Sequence, residues 1–154
     1  MVGLSLGLFG VAIAGVQGVL IRIVIPRCGE VNVILYGFVF NFFAFAALGL
    51  VTSGALALIL TPLTALGAVV PPALQGKMSQ PAGANQQGEL QGLVSSLRSV
   101  AAIVSPLIMT QLFFLATDPA FGIGMPGAPF FLSMGLMALC LVIFLPARTS
   151  RVAT

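Results

Sequence analysis

Five long apolar runs, each separated from the next by a short polar or Gly/Pro-rich break, constrain this chain more than any other feature. The runs cover about residues 2–25, 31–51, 55–72, 90–116 and 129–146. A bilayer core needs about 20 apolar residues per helix, and a lone segment satisfies its own backbone in lipid only as a helix. The runs also lack the alternation of barrel strands. The sequence therefore predicts an all-α, polytopic membrane helix bundle of about five transmembrane helices, forming one membrane domain over residues 1–154.

Composition argues against several other classes of protein. Only 6% of the residues are charged and 59% are hydrophobic, whereas a soluble domain carries about 25% charged residues. With no histidine and three acids, the chain offers neither a metal cluster nor a catalytic triad. Cys28 and Cys140 lie in a loop and in an apolar run, which argues against a disulfide framework. We therefore expect a protein that is not an enzyme, uses no cofactor or metal, and binds no nucleic acid.

The positive charges predict an orientation in the membrane. Arg22 and Arg27 flank the first break, Lys77 lies in the third, and Arg148 and Arg151 lie in the tail. The second and fourth breaks carry no lysine or arginine. Because basic loops stay on the cytoplasmic side, we expect the N-terminus outside and the C-terminus in the cytoplasm.

The fourth run opens with QQGELQGLVSSLRS, which places small and polar side chains on one face of a helix. At 100° per residue that face includes Gly88, Gly92, Ser95, Arg98 and Ser99. Stripes of small residues let helices approach closely, so packing is the favoured interpretation of the glycines and serines. A charge inside a span faces a partner, a cavity or the interface. For Arg98, a cavity or partner and snorkelling to the membrane edge are equally open.

Two amides and two prolines lie inside the apolar runs. Gln17 in the first run and Asn41 in the second could each line a cavity or bond a neighbouring helix, and packing is favoured for Asn41. Pro62 and Pro106 predict bends, since neighbouring groups can satisfy the carbonyl that a proline frees.

Several stretches, in this order and at these spacings, resemble the major facilitator superfamily, specifically its tetracycline-efflux-like branch of drug/proton antiporters. They are GLSLGLFGVAIAGVQGVL, RCGE, PPALQGKMSQ and NQQGELQGLVSSLRSVAAIVSPLI, and PGAPFFLSMGLMALCLVIFLPA is similar to the last helix of that branch. The five runs resemble helices eight to twelve of a twelve-helix transporter. The resemblance therefore implies a partial fold, the C-terminal bundle, with the N-terminal bundle absent.

The resemblance also implies roles for individual residues. Gln17 matches a glutamine of the eighth helix that faces the central cavity, and Arg98 falls where related members place a polar or basic residue in the eleventh helix. Together with Asn41, these are the candidates for the substrate cavity. IPRCGEVN is similar to a weak copy of the family's gating loop, without its aspartate and basic run. The candidates for helix packing or gating are Gly88, Gly92, Ser95, Ser99, Pro106, Arg27 and Gly29.

The function that the resemblance implies is proton-coupled efflux of small amphipathic drugs such as tetracyclines, and hence antibiotic resistance, from the bacterial inner membrane. The implied partners are the lipid bilayer, a small-molecule substrate, protons, and the missing N-terminal helix bundle on the same or a separate chain. Because alternating access needs both bundles, we expect this chain alone not to transport. The alternative is a non-transporting membrane subunit, or an inactive fragment, that packs on a partner bundle.

Overall fold

The computed structural model describes residues 2–51, 53–81, 83, 85–118 and 124–149. Its α-helices are α1 (Val2–Gly15), α2 (Ile21–Cys28), α3 (Glu30–Leu50), α4 (Gly54–Thr64), α5 (Val70–Ser79), α6 (Gln87–Thr117) and α7 (Ala128–Thr149). The described part holds five helical spans that are long and apolar enough to cross a membrane: Leu6–Cys28, Glu30–Leu50, Gly54–Ser79, Gln87–Thr117 and Ala128–Pro146. The predicted all-α membrane bundle is thereby confirmed.

Two of the spans contain a change of helix type. A π-helical turn, Val16–Leu20, joins α1 to α2 within the first span. A 3-10 turn, Ala65–Val69, joins α4 to α5 within the third span. Short stretches of either type inside a longer helix often mark functional positions or hinges.

The third span extends further than its apolar pattern indicates. The sequence predicts an end near residue 72, whereas the helix continues to Ser79. Pro71 and Pro72 occupy the first turn of α5. Proline is tolerated at a helix start because the first amides of a helix lack an intrahelical acceptor. These prolines therefore begin a new helical segment instead of ending the span.

The central helix of the bundle is α3, which contacts α2, α4, α5 and α7. It begins directly after Gly29. The φ of this residue is +77°, a conformation that glycine adopts easily because glycine has no Cβ. Where α3 crosses the start of α5, a Cβ on Gly37 would overlap a methyl group of Val70. The core gathers around this crossing and consists of Val16, Val33, Ile34, Phe38, Val69, Val70 and Ala73.

The far end of α3 packs as closely against the start of α7. A Cβ on Gly127 would overlap the backbone carbonyl of Gly49. A Cβ on Gly49 would lie 3.1 Å from the ring of Phe131. A glycine on each side of this contact therefore brings the second and fifth spans together, as small residues do between membrane helices.

The longest helix, α6, lies at the edge of the bundle and packs mainly against α7. Ala116 is its one buried residue. Large apolar side chains stand exposed along it, among them Leu93, Leu97, Ile103 and Leu107. The small and polar face of α6 is exposed as well, so this helix is open on nearly all sides.

Candidate functional site

Gln17 lies in the π-helical turn of the first span, with its side chain exposed. The turn is defined by a bond from the Ile21 amide to the Val16 carbonyl, five residues apart. A π turn holds one more residue than an α-helical turn, and such turns are often found at functional sites. The sequence marks Gln17 as an amide inside a span, but a π turn has no sequence signature by which it could be predicted.

Asn41 lies midway along α3 and is half-buried. Its Nδ2 donates a hydrogen bond to the Gly67 carbonyl, 3.4 Å away, in the 3-10 turn of the third span. Gly67 is buried, and a Cβ at this position would overlap the Asn41 carboxamide. The amide therefore joins the second and third spans where the third changes helix type.

The structure brings the surroundings of Gln17 and Asn41 together. The turn that carries Gln17 packs against the turn that carries Gly67, and the buried side chains of Val16 and Val69 belong to one cluster. Arg98 is not part of this grouping, since it lies on α6, which packs mainly against α7. Whether any of the three residues lines a substrate cavity stays a prediction.

The remaining candidates on α6 share its open surface. Ser95, Arg98 and Ser99 are exposed, and the Ser99 hydroxyl donates to the Ser95 carbonyl at 3.0 Å. A Cβ built on Gly88 or Gly92 meets no atom within 4 Å. The helix continues through Pro106, whose carbonyl accepts a bond from the Thr110 hydroxyl at 2.5 Å. The two glycines of the stripe therefore face open space in the part of the chain that the structure describes, and its serines are exposed.

The break between the first two spans belongs to a polar cluster. Arg27 lies in the last turn of α2, Gly29 makes the turn, and Glu30 begins α3. Gln80 donates to the Glu30 carboxylate at 2.6 Å and accepts a bond from the Lys77 ammonium at 3.3 Å. These bonds tie the start of the second span to the end of the third.

A further hydrogen bond joins the same end of the third span to α6, because Gln75 donates to the Gln91 side chain at 3.0 Å. Of the basic residues that predict the orientation, Arg151 and the side chain of Arg148 lie outside the described residues.

A cleft of about 490 Å³ lies between α3 and α4. Sequence reasoning missed it, although the spacing of Tyr36, Phe40, Phe43 and Ala47 already puts these residues on one face of α3. The full lining is Tyr36, Val39, Phe40, Phe43, Ala44, Ala47, Leu60, Leu63 and Thr64. Apart from Tyr36 and Thr64 the lining is apolar, so the cleft favours apolar groups.

A second cleft of about 360 Å³ opens between the end of the third span and the start of α6. Its lining combines the Glu89 carboxylate, in the first turn of α6, with apolar side chains. The lining residues are Met78, Pro81, Gln86, Glu89, Leu90 and Leu93. Among the described residues, no three histidine, cysteine, aspartate or glutamate side chains come together as metal ligands would.

Comparison with known proteins relates the chain to one group of resistance proteins. It is 34% identical over 148 residues to the class D tetracycline resistance protein of Salmonella ordonez, covering 95% of this chain and 37% of that protein. It is 34% identical over 113 residues to the class C protein of Escherichia coli and 36% identical over 112 residues to the class G protein of Vibrio anguillarum. Each of these two matches covers 73% of this chain and 28% of the relative.

The chain therefore spans about a third of the length of the curated relatives that it matches. No family model matches the chain, and no solved structure matches it. The relatives are resistance proteins and not enzymes, in agreement with the sequence analysis. The chain is a multi-pass membrane homologue of the tetracycline resistance branch of the major facilitator superfamily, matched over part of the length of its relatives.

Proposed function

We propose that the chain forms the C-terminal part of a secondary transporter that exports small amphipathic drugs, such as tetracyclines, in exchange for protons. Its relatives are named for tetracycline resistance, and its five spans supply part of a membrane bundle. The five spans stand for helices eight to twelve of the complete fold. Substrate would move by alternating access, in which one bundle rocks against the other.

The openness of α6 is the observation that carries this proposal. One residue of the 31 in this helix is buried, and its glycine stripe at Gly88 and Gly92 faces open space. Membrane helices use such stripes for close packing. The first span repeats the pattern, because a Cβ on Gly3, Gly7 or Gly10 also meets no atom within 4 Å. A second helix bundle packed on these faces would cover both stripes.

The proposed substrate path uses polar groups that are exposed within the spans. Gln17 and Arg98 are exposed side chains on the two helices that carry open glycine stripes. An ionisable group inside a span is costly unless it meets a partner or a water-filled cavity. Among the described residues, none bonds to the Arg98 guanidinium. A cavity between two bundles would supply the water or substrate contact that Arg98 needs.

The proposed orientation places the polar cluster of Arg27, Glu30, Lys77 and Gln80 at the cytoplasmic face of a bacterial inner membrane. The cluster holds two basic side chains, consistent with the bias of basic residues toward the cytoplasm. The N-terminus would then be outside. Cysteine labelling from one side of the membrane tests this, since the exposed native Cys28 would react from the cytoplasmic side.

Tetracycline accumulation in cells tests the transport proposal. Cells that express residues 1–154 alone are expected to accumulate tetracycline like cells with an empty vector. Cells that express these residues fused behind the unmatched part of the class D protein are expected to accumulate less, and an uncoupler should abolish the difference. The class D protein suits the fusion because its match covers 95% of this chain.

Export by residues 1–154 alone would contradict the need for a second bundle. A fusion that inserts correctly but leaves accumulation unchanged, beside an active class D protein, would contradict the transport function. The open faces of α1 and α6 also favour the alternative, a non-transporting subunit that packs on a partner bundle. That function would be supported by a stable complex that exports nothing.

A further inference from the structure

We propose that the 3-10 turn Ala65–Val69 is a hinge of the third span, and that Asn41 is the positioning residue that holds the hinge in its present form. In this proposal the Asn41 amide supplies to the Gly67 carbonyl the hydrogen-bond donor that Pro71 lacks. The hinge is a property of the five helices themselves, whatever substrate they serve.

The backbone around the turn shows which helical donor the Asn41 amide replaces. In a continuous α-helix the amide of residue 71 would donate to the carbonyl of residue 67, but residue 71 is a proline and has no N–H. The amide of Val70 donates to the Gly67 carbonyl in the tighter, 3-10 manner. A carbonyl oxygen has two lone pairs, and the Asn41 Nδ2 atom occupies the second site at 3.4 Å.

The steric fit indicates that the contact depends on both residues. Gly67 is buried, and a Cβ there would overlap the Asn41 carboxamide. The amide can therefore reach the carbonyl only because residue 67 has no side chain. Val69, the last residue of the turn, and Val70, which follows it, are buried in the core around α3. This burial holds the turn close to α3.

Hydroxyl groups satisfy carbonyls on the other side of the turn. Thr61 donates to the Ala57 carbonyl and Thr64 to the Thr61 carbonyl, both at 2.7 Å. Pro62, between these two threonines, removes a further backbone donor. In lipid, Ser and Thr side chains and local 3-10 turns satisfy backbone groups that a proline frees. The third span thus contains a segment in which side-chain donors add to the backbone bonds of the helix.

A segment held in this way can change between two forms at low cost. Loss of the Asn41 bond would free the turn, whereas α4 and α5 on either side would keep their regular bonds. Mid-helix 3-10 stretches often mark functional hinges, and sharp kinks of helices are found at proline.

Hydrogen exchange of residues 65–70, followed by mass spectrometry on the chain in lipid nanodiscs, tests the proposal. Asn41→Leu removes the donor and keeps a similar volume, and it should raise the exchange of these amides by about threefold to tenfold. Asn32→Leu is the matched control, because Asn32 also donates to a backbone carbonyl, that of Cys28, at 2.9 Å. It should leave residues 65–70 unchanged.

Pro71→Ala gives the decisive comparison, because it restores a backbone donor to the Gly67 carbonyl. In this background Asn41→Leu should change the exchange by less than about twofold. The proposal would be overturned if Asn41→Leu left the exchange of residues 65–70 unchanged. It would also be overturned if Asn41→Leu raised that exchange equally in the native and in the Pro71→Ala background.

Gly67→Ala keeps the test independent of whether Asn41→Leu folds. Its methyl group displaces the Asn41 carboxamide without removing it. The exchange of residues 65–70 should rise in Gly67→Ala as it does in Asn41→Leu. An unchanged exchange rate in Gly67→Ala would contradict the hinge.

Discussion

The rings of Phe38 and Phe144 meet edge to face, with centroids 5.9 Å apart and ring planes at 71°. Phe38 is buried on α3, and Phe144 is half-buried near the end of α7. Edge-to-face contact suits aromatic pairs because the positive edge of one ring meets the negative face of the other. This pair joins the second and fifth spans near one end of their contact. Gly49 and Gly127 join the same two spans at the other end.

Phe38→Ala is expected to lower the free energy of unfolding by roughly 3 kcal/mol, since it removes the ring pair and leaves a cavity in the core. Phe43→Ala is the control, because the Phe43 ring is 64% exposed, and it should cost less than about 1 kcal/mol. Reversible unfolding in mixed micelles, followed by circular dichroism, measures both. If the two variants lost the same free energy of unfolding, the core would not depend on the Phe38 side chain of α3.

Gly37→Ala is expected to destabilise the chain by about 1 to 3 kcal/mol through overpacking, because the added methyl group would overlap Val70. Adding Val70→Ala should restore part of that loss by making room. At Gly10, where a Cβ meets open space, the same change should be neutral or stabilising by up to about 1 kcal/mol. Similar melting temperatures for Gly37→Ala and Gly10→Ala would contradict the close crossing of α3 and α5.

Gln80→Ala is expected to speed tryptic cleavage after Lys77 by about fivefold. The change removes the bonds from Gln80 to Glu30 and from Lys77 to Gln80, which together hold the end of α5 with about 1 kcal/mol at this exposed site. Gln87→Ala, an exposed glutamine in α6, should leave the rate unchanged. The same rate in both variants would mean that the polar cluster does not secure the helix end.

Gly92→Leu is expected to leave folding unchanged and to abolish transport. The new side chain would enter open space, so the stability of residues 1–154 should change by less than about 0.5 kcal/mol. In the fusion with the class D protein, the same side chain would fill the stripe where the second bundle packs, and tetracycline export should be lost.

Gly127→Ala should differ from Gly92→Leu in its effect on the stability of residues 1–154. Its Cβ would overlap the Gly49 carbonyl, so residues 1–154 should themselves be destabilised, by about 1 to 3 kcal/mol. If Gly92→Leu destabilised residues 1–154 as much, the face of α6 would be packed and not open.

The fold class could be predicted from the sequence because lipid leaves a segment of 20 apolar residues few choices. The end of the third span could not, since Pro71 and Pro72 stop a helix or start one depending on the turn before them. The sequence marks Gln17 and Asn41 as amides inside spans, but the partner of Asn41 depends on tertiary contacts. The bond from Asn41 to Gly67 joins residues 26 positions apart, and no local pattern indicates it.

The mass of the native unit that contains this chain tests the central claim most directly, namely that these five helices work with a second bundle. The unit can be purified from membranes of the source organism with an antibody against the tail PARTSRVAT, and weighed by native mass spectrometry. We expect about two and a half times 15.8 kDa, as a longer chain or as this chain with a second membrane protein. A unit of 15.8 kDa with no further helices would contradict the account.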